Sequence, residues 1–164
     1  MSSGPVSDTT GEPGPGNRYQ SDHARLLIES FQRVTGGTLI DGSTPIPDTP
    51  RALFEAPFAV VSHDTASDPV FNYANRTALR LFEMSWAAFT GLPSRRSAEP
   101  VNREERARLL SRVSSDGYID DYRGIRISAS GRRFWIENAT VWNVLDADGC
   151  YRGQAAVFHR WTDL

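Results

Sequence analysis

YIDDYRGIRISASGRRFWIENATVWNVLDADGCYRGQAAVFHRW, residues 118–161, contains three long segments of β character: Tyr118–Ser128, Arg133–Leu145 and Tyr151–Trp161. Between them stand Ser130-Gly131 and Asp146-Ala147-Asp148-Gly149, compositions that supply the positive φ of tight hairpin turns. Strands joined by turns this short pair antiparallel, because a parallel crossover needs a dozen residues or more. The stretch therefore predicts a three-stranded antiparallel meander.

Upstream of it, Arg103–Val113 has helical spacing, with Leu109, Leu110 and Val113 on one face and four Arg on the other. Asn102 with Glu105 has the form of a capping box, and Gly117 closes the helix. Asn75 opens an earlier helix whose apolar face is Ala78, Leu79, Leu81 and Phe82, and Ser85 caps a further turn, Trp86–Phe89, ended by Gly91 and Pro93. Before these, Phe58–Ser62 and Val70–Tyr73 flank the polar turn Thr65–Asp68 and read as a hairpin. No strand alternates with a long helix, so the fold class is α+β with an antiparallel sheet of five strands and short helices on one face.

At the N-terminal side, residues 21–35 read as a separate helix with Ser21 as N-cap and a stripe of Leu27, Ile28, Phe31 and Val34, to be packed either on the sheet or on a partner. Gly36-Gly37 ends it, and residues 36–50, with three prolines, read as a linker. Residues 1–20, rich in Ser, Gly, Pro and Thr, have too few apolar side chains to offset their ordering entropy and read as a disordered leader. The ordered part is then one domain, 21–164.

Composition excludes several classes of function. With 39% apolar and 23% charged residues and a net charge of −2, the chain is an ordinary globular sequence without the basic patch that nucleic acid requires. All 18 basic residues are Arg, which removes lysine Schiff-base chemistry. Cys150 is alone and cannot close an internal disulfide, which fits a cytoplasmic setting. No apolar run approaches the roughly 18 residues of a membrane span.

Little catalytic chemistry survives inspection. Ser62, His63 and Asp64 are adjacent in a strand, where successive side chains point to opposite faces, so they do not form a triad; Asp120-Asp121 fails as a carboxylate pair for the same reason. The three His, at 23, 63 and 159, lack metal-ligand spacing. No catalytic residue, metal site or cofactor is assigned, and the chain reads as a non-enzyme. The four Trp, at 86, 135, 142 and 161, read as core or interface.

One sheet face is the candidate binding surface. Even positions of the central strand run Phe134, Ile136, Asn138, Thr140, Trp142, Val144, an apolar row interrupted by two polar residues. Asn138 is the expected polar anchor, since a buried amide must find a hydrogen-bond partner. With unbroken register Arg123 joins Ile125 and Ile127 on that face and offers a guanidinium to an anionic or carbonyl group; a β-bulge near Gly124 instead turns it to solvent. Leu81, Phe89 and Leu110 are expected opposite, on the helices.

Residues 53–93, LFEAPFAVVSHDTASDPVFNYANRTALRLFEMSWAAFTGLP, resemble the first half of a PAS domain, with Tyr73-Ala74-Asn75 at the strand-to-helix junction and Phe89-Thr90-Gly91-Leu92-Pro93 ending the short helices. More specifically, FNYANRTALRLFEMSWAAFTGLPSRRSAEP together with YRGIRISASGRRFWIENATVWNVLDADG is similar to the MEKHLA family, a PAS-like domain found alone in bacteria and at the C-terminus of some plant transcription factors. The resemblance spans roughly 21–161. It implies a sensory or interaction module and names no ligand. The flavin-reactive Asn-Cys-Arg-Phe motif is absent, and no His falls in the Arg103–Val113 helix where haem-binding relatives carry one, so a colourless protein is expected. Where many PAS domains end in Asp-Ile-Thr this chain has Arg160-Trp161-Thr162 and runs only to Leu164, so coupling to an output helix by the usual route is not expected.

Three readings follow. The pocket under the helices binds a small, partly apolar molecule and alters the helix-side surface; or side chains fill it and the domain works through protein contacts, including dimerisation through helix 21–34; or the chain is a cone-shaped isomerase-like enzyme, for which no inward acid or base is placed.

Overall fold

The computed structural model describes residues 11–98 and 100–164, apart from the side chains of 100–103 and 106. Strands β1 (Ala59–His63), β2 (Phe71–Ala74), β3 (Tyr118–Ile127), β4 (Arg133–Leu145), β5 (Tyr151–Phe158) and β6 (Arg160–Asp163) form one antiparallel sheet in the order β2-β1-β5-β4-β3. The expected last strand is broken at His159, and its two parts, β5 and β6, run along the same edge of β4. The helices are α1 (Ser21–Thr35), α2 (Thr49–Phe54), α3 (Arg76–Phe82), α4 (Trp86–Phe89) and α5 (Pro100–Asp116).

Both faces of the sheet are covered. On the inner face, Phe54, Phe82, Phe89 and Val113 from the helices pack on Val61, Phe71, Phe134, Ile136, Val141 and Phe158. On the outer face, α1 lays Ala24 and Leu27 on Val60, Tyr73, Trp142, Val144 and Val157. The stripe proposed for dimerisation through helix 21–34 is therefore spent on the chain's own sheet. Its docking is also polar: Trp142 Nε1 donates to the buried Ser30 Oγ at 3.0 Å, Phe31 meets the Trp142 ring edge-on at 4.9 Å, and an Arg33 N–H donates to the Leu145 carbonyl at 2.5 Å.

Local boundaries differ from expectation for identifiable reasons. Ser21 is the first helical residue rather than the cap; Gln20 precedes it in the left-handed region with no side-chain cap bond. The 36–50 segment is not a free linker, because Leu39 and Ile40 are buried in the outer core and α2 starts at Thr49 with Pro50 in its first turn, where a missing N–H costs nothing. Of the expected leader, residues 1–10 lie outside the described residues. Residues 11–20 are folded: Asn17 Oδ1 accepts from Gly14 N–H at 3.0 Å, Gln20 Nε2 donates to Gly11 O at 2.7 Å, and Tyr19 packs on Phe54. The one aromatic in that segment anchors it. The capping box at Asn102 lies outside the described side chains.

Four bulges set which residues face which core: Asn72 of β2, between the Ser62–Tyr73 and His63–Phe71 pairs, puts Tyr73 outward and Phe71 inward, and three more lie among β3, β4 and β5. In β3, Asp120-Asp121 oppose a single β4 position, and in β4 Glu137-Asn138 oppose a single β3 position. In β5, Arg152-Gly153 form the last, between the Asn143–Gln154 and Leu145–Tyr151 pairs. Each adds one residue to one strand and so exchanges the faces of everything beyond it.

His23, near the start of α1, links the outer face to acid stability. Its Nε2 lies 2.9 Å from Ser62 Oγ, which in turn is 2.5 Å from Asn72 Oδ1, and its ring stacks on Tyr73 at 5.6 Å. Burial lowers its pKa from 6.5 to about 4. The folded state therefore resists a proton that the unfolded chain accepts, so stability is complete above pH 6.5 and falls as pH drops from 6.5 toward 4, by up to roughly 3 kcal/mol. Urea midpoints measured across that window should fall in the native chain and stay level in His23→Gln; parallel curves would overturn the assignment.

Candidate functional site

Between α5 and the inner sheet face is a chamber whose walls follow from the bulges. After Ile119, the Asp120-Asp121 bulge brings Tyr122, Gly124 and Arg126 to the inner face in place of Asp121, Arg123 and Ile125. Gly124 is required there: a Cβ would stand 2.5 Å from the Tyr122 hydroxyl and 2.9 Å from its Cζ, because the buried Tyr122 ring lies along the strand over that residue. The ring thereby reaches Arg126, whose Nη2 donates to the Tyr122 hydroxyl at 3.0 Å while Nη1 donates to Ser97 Oγ at 3.0 Å. On β4, Ile136 faces inward, and after the Glu137-Asn138 bulge Ala139 and Val141 do so. β1 contributes Val61 and His63, β5 contributes Gln154 and Ala156, and α5 contributes Leu110.

A polar latch closes one end. Asn143 Nδ2 donates to the Val113 carbonyl at 2.9 Å, and Gln154 Nε2 donates to Asn143 Oδ1 at 3.1 Å and to Ser114 Oγ at 3.3 Å. The C-terminal half of α5 is thus pinned to the sheet. What is left open between these walls is about 50 Å³, near the volume of one or two waters. A larger groove of about 890 Å³ lies outside, bordered by Arg18, Asp22, Asp64, Asn72 and Trp86. It is the more open of the two, and ligand sites enclose most of what they bind, so the chamber is the better candidate.

The residues expected at the site divide. Phe134, Ile136, Leu81 and Phe89 come together in the inner core, and Leu110 lines the chamber. Asn138 does not belong to it. Its side chain is exposed and its φ is +51°; Asn is there because, after Gly, it tolerates the left-handed conformation of a bulge best. Trp142 lies on the outer face under α1. Arg123 is exposed, with its guanidinium 4.1 Å above the Trp135 ring, and Ile125, paired with Trp135, and Ile127, paired with Arg133, are half-buried on that same outer side. The solvent-facing alternative for Arg123 is the one realised. Missed were Tyr122, Arg126, Gln154, Ser97 and the inward face of His63; the signals were Gly124 and Asn138 inside strand patterns.

The triad-like run of the sequence is divided between the two faces of the sheet. Ser62 faces α1 while His63 faces the chamber, its Nδ1 2.9 Å from the Asp64 carbonyl oxygen. Among the described residues no carboxylate lines the chamber, and no group of three or more His, Cys, Asp or Glu could hold a metal. Among them, too, no helix is long and apolar enough to cross a membrane. At the strand-to-helix junction Tyr73 is fully buried in the outer core, and Asn75 caps α3, its Oδ1 accepting from Ala78 N–H at 3.1 Å. Gly91 follows α4 in the turn that leads to Pro93.

Solved structures share this architecture. The PAS domain of a protein from Colwellia psychrerythraea superposes with a TM-score of 0.59 at 17% identity, covering 70% of this chain and 92% of that one. An RNA-binding light-oxygen-voltage receptor matches with a TM-score of 0.58 at 24% identity, over 77% of this chain and 37% of that one. A PAS domain, solved in complex with ethanol, of a LuxR-family transcriptional regulator from Burkholderia thailandensis matches with a TM-score of 0.52 at 20% identity, over 70% of this chain and 95% of that one. At these identities the likeness concerns the fold. In sequence, the chain is 29% identical over 142 residues to the homeobox-leucine zipper protein ATHB-14 of Arabidopsis thaliana and 24% identical over 149 residues to HOX29 of Oryza sativa subsp. japonica, covering 84% and 85% of this chain. It spans only 17% of the length of either. These relatives are plant proteins, so they lend no support to a bacterial setting. The model of the MEKHLA domain matches residues 21–163, and the chain belongs to the MEKHLA family.

Proposed function

We propose that this domain is a non-catalytic sensory module that takes a small, partly apolar molecule into the chamber under α5 and reports it through protein contacts on the helix side. The observation that carries the reading is the chamber itself: a largely apolar pocket with the polar cluster Arg126–Tyr122–Ser97 in its wall and Gln154 and His63 also facing it, roofed by a helix that hydrogen bonds hold to the sheet. At about 50 Å³ it suits a molecule of a few heavy atoms, and a larger one must lift α5 off the Asn143–Gln154 latch. Ethanol, the molecule in the Burkholderia PAS structure, is of that size. Because α1 covers the outer sheet face, the α5 surface is the one left to respond.

The small volume also favours a second reading, a filled-core module that binds partner proteins without a ligand. Ala139→Val separates the two, since it adds two methyl groups to the chamber at a β-compatible position. Ligand-observed titration with two- to four-carbon molecules should show binding to the native chain and at least a tenfold loss in Ala139→Val, with the melting temperature little changed. Equal titration curves for the two proteins would remove the chamber as the site, and no binding to either would favour the filled core.

A further inference from the structure

We infer that the chamber's ligand is a short-chain carboxylate, held by its charge on Arg126 with its alkyl end against Ala139 and Val141; this rests on the chamber being a ligand site at all. Arg126 lines the chamber and is at least partly withdrawn from water. Its two hydrogen-bond acceptors, the Tyr122 hydroxyl and Ser97 Oγ, are both neutral. Among the described residues the ion pairs engage Arg33, Arg51, Arg76, Arg95, Arg132 and Arg152, never Arg126, although it alone of these faces the chamber. A guanidinium carries five N–H donors in a planar fork. Two are occupied here, and among the described residues the positive charge in a partly apolar wall has no counter-ion.

The clamp is also prearranged. Tyr122 is buried, its ring fixed over Gly124, and Ser97 is buried in the turn before α5, so both neutral partners hold the guanidinium at the chamber wall rather than letting it swing to solvent. A fixed, planar, uncompensated donor fork is the group that recognises carboxylate through paired hydrogen bonds. Of the other wall residues, Leu110, Ile136, Ala139, Val141 and Phe158 offer contact to carbon, while His63 and Gln154 add polar atoms. A cavity of about 50 Å³ keeps the tail to two or three carbons at most, and seating even those draws on outward movement of α5. Inorganic phosphate fits poorly, since it presents oxygen on every side and Leu110, Ile136, Val141 and Phe158 offer it no donor.

The test compares propanoate with propanamide, which share shape and differ in charge, by NMR titration of the native chain while following the Ala139 and Ala156 methyl groups. Propanoate should shift both methyls and bind at least tenfold more tightly than propanamide, and raised salt should weaken propanoate alone. In Arg126→Gln the two ligands should bind alike; Arg126→Lys, which keeps the charge and loses the fork, should retain part of the preference. Equal binding of the two ligands to the native chain, or an undiminished preference for propanoate in Arg126→Gln, would overturn the carboxylate assignment and leave the chamber as a site for neutral molecules. Absence of any shift with either ligand would overturn the chamber reading and this inference with it. Should Arg126→Gln fail to fold, the native-chain comparison and its salt dependence decide the matter alone.

Discussion

Gly153→Ala should be destabilised by more than about 4 kcal/mol, or be recovered unfolded, the scale reached only when a substitution breaks backbone geometry in the core. Gly153 sits in the β5 bulge with φ +126°, a conformation that side-chain-bearing residues rarely adopt. A Cβ there would also penetrate the carbonyl oxygen of His63 and stand 3.1 Å from its carbonyl carbon. Those are backbone atoms of β1, paired to β5 through His63–Gln154, so relief requires parting the central strand of the sheet from its neighbour. Gly149→Ala is the control: it too has positive φ, +82°, but its Cβ would meet nothing within 4 Å, so a loss of only about 1 kcal/mol is expected. Urea denaturation of both variants gives the comparison. Equal midpoints would mean that the close approach of β5 to β1 is wrong.

The second large effect concerns Asn75. Read from sequence as a helix cap, its loss would cost about 1 kcal/mol. The structure gives it more to do. Besides Ala78 N–H, Oδ1 accepts from Val60 N–H at 3.0 Å, and Nδ2 donates to the carbonyls of Leu53 at 3.0 Å and Phe58 at 2.8 Å. The side chain is fully buried, and both its acceptor lone pairs and both its donors are used. It fastens the end of α2, the start of β1 and the start of α3 to one another. Asn75→Ala takes this partner from four backbone groups away from water, leaving the Leu53 carbonyl only the 3.4 Å bond from Ala56 N–H, and the expected loss is about 3–5 kcal/mol. Asn75→Asp discriminates between the two roles, because aspartate caps helices as well as asparagine does but turns a carboxylate oxygen toward the Leu53 and Phe58 carbonyls. A stable Asn75→Asp protein would reduce Asn75 to a cap.

The elements of this fold were legible from local chemistry, and the facing of their side chains was not. Arg133–Leu145 has the strand boundaries expected from Ser130-Gly131 and Asp146–Gly149 because those turns need residues that tolerate positive φ, which composition reveals. The alternation rule then assigns Phe134 and Ile136 to the inner face, and fails at Asn138, where one extra residue reverses it. A polar residue in an apolar row has two physical meanings, a buried amide with a partner or a left-handed backbone, and sequence spacing cannot separate them. The same reversal at Asp120-Asp121 put the guanidinium of Arg126, not that of Arg123, at the chamber. The His23–Ser62–Asn72 chain is illegible for another reason: its members are brought together only when α1 crosses the sheet.

That crossing gives α1 the standing of a tethered competitor. A helix joined to its sheet by the short 36–48 segment is present there at an effective concentration on the order of millimolar. A free protein with the same intrinsic affinity for the outer sheet face, supplied at micromolar concentration, loses that contest about a thousandfold by mass action alone. Any assembly through that face therefore requires a surface better matched to Trp142, Tyr73 and Val157 than α1 is, or a chain in which α1 has been detached. Removal of residues 11–35 turns a private contact into a public one.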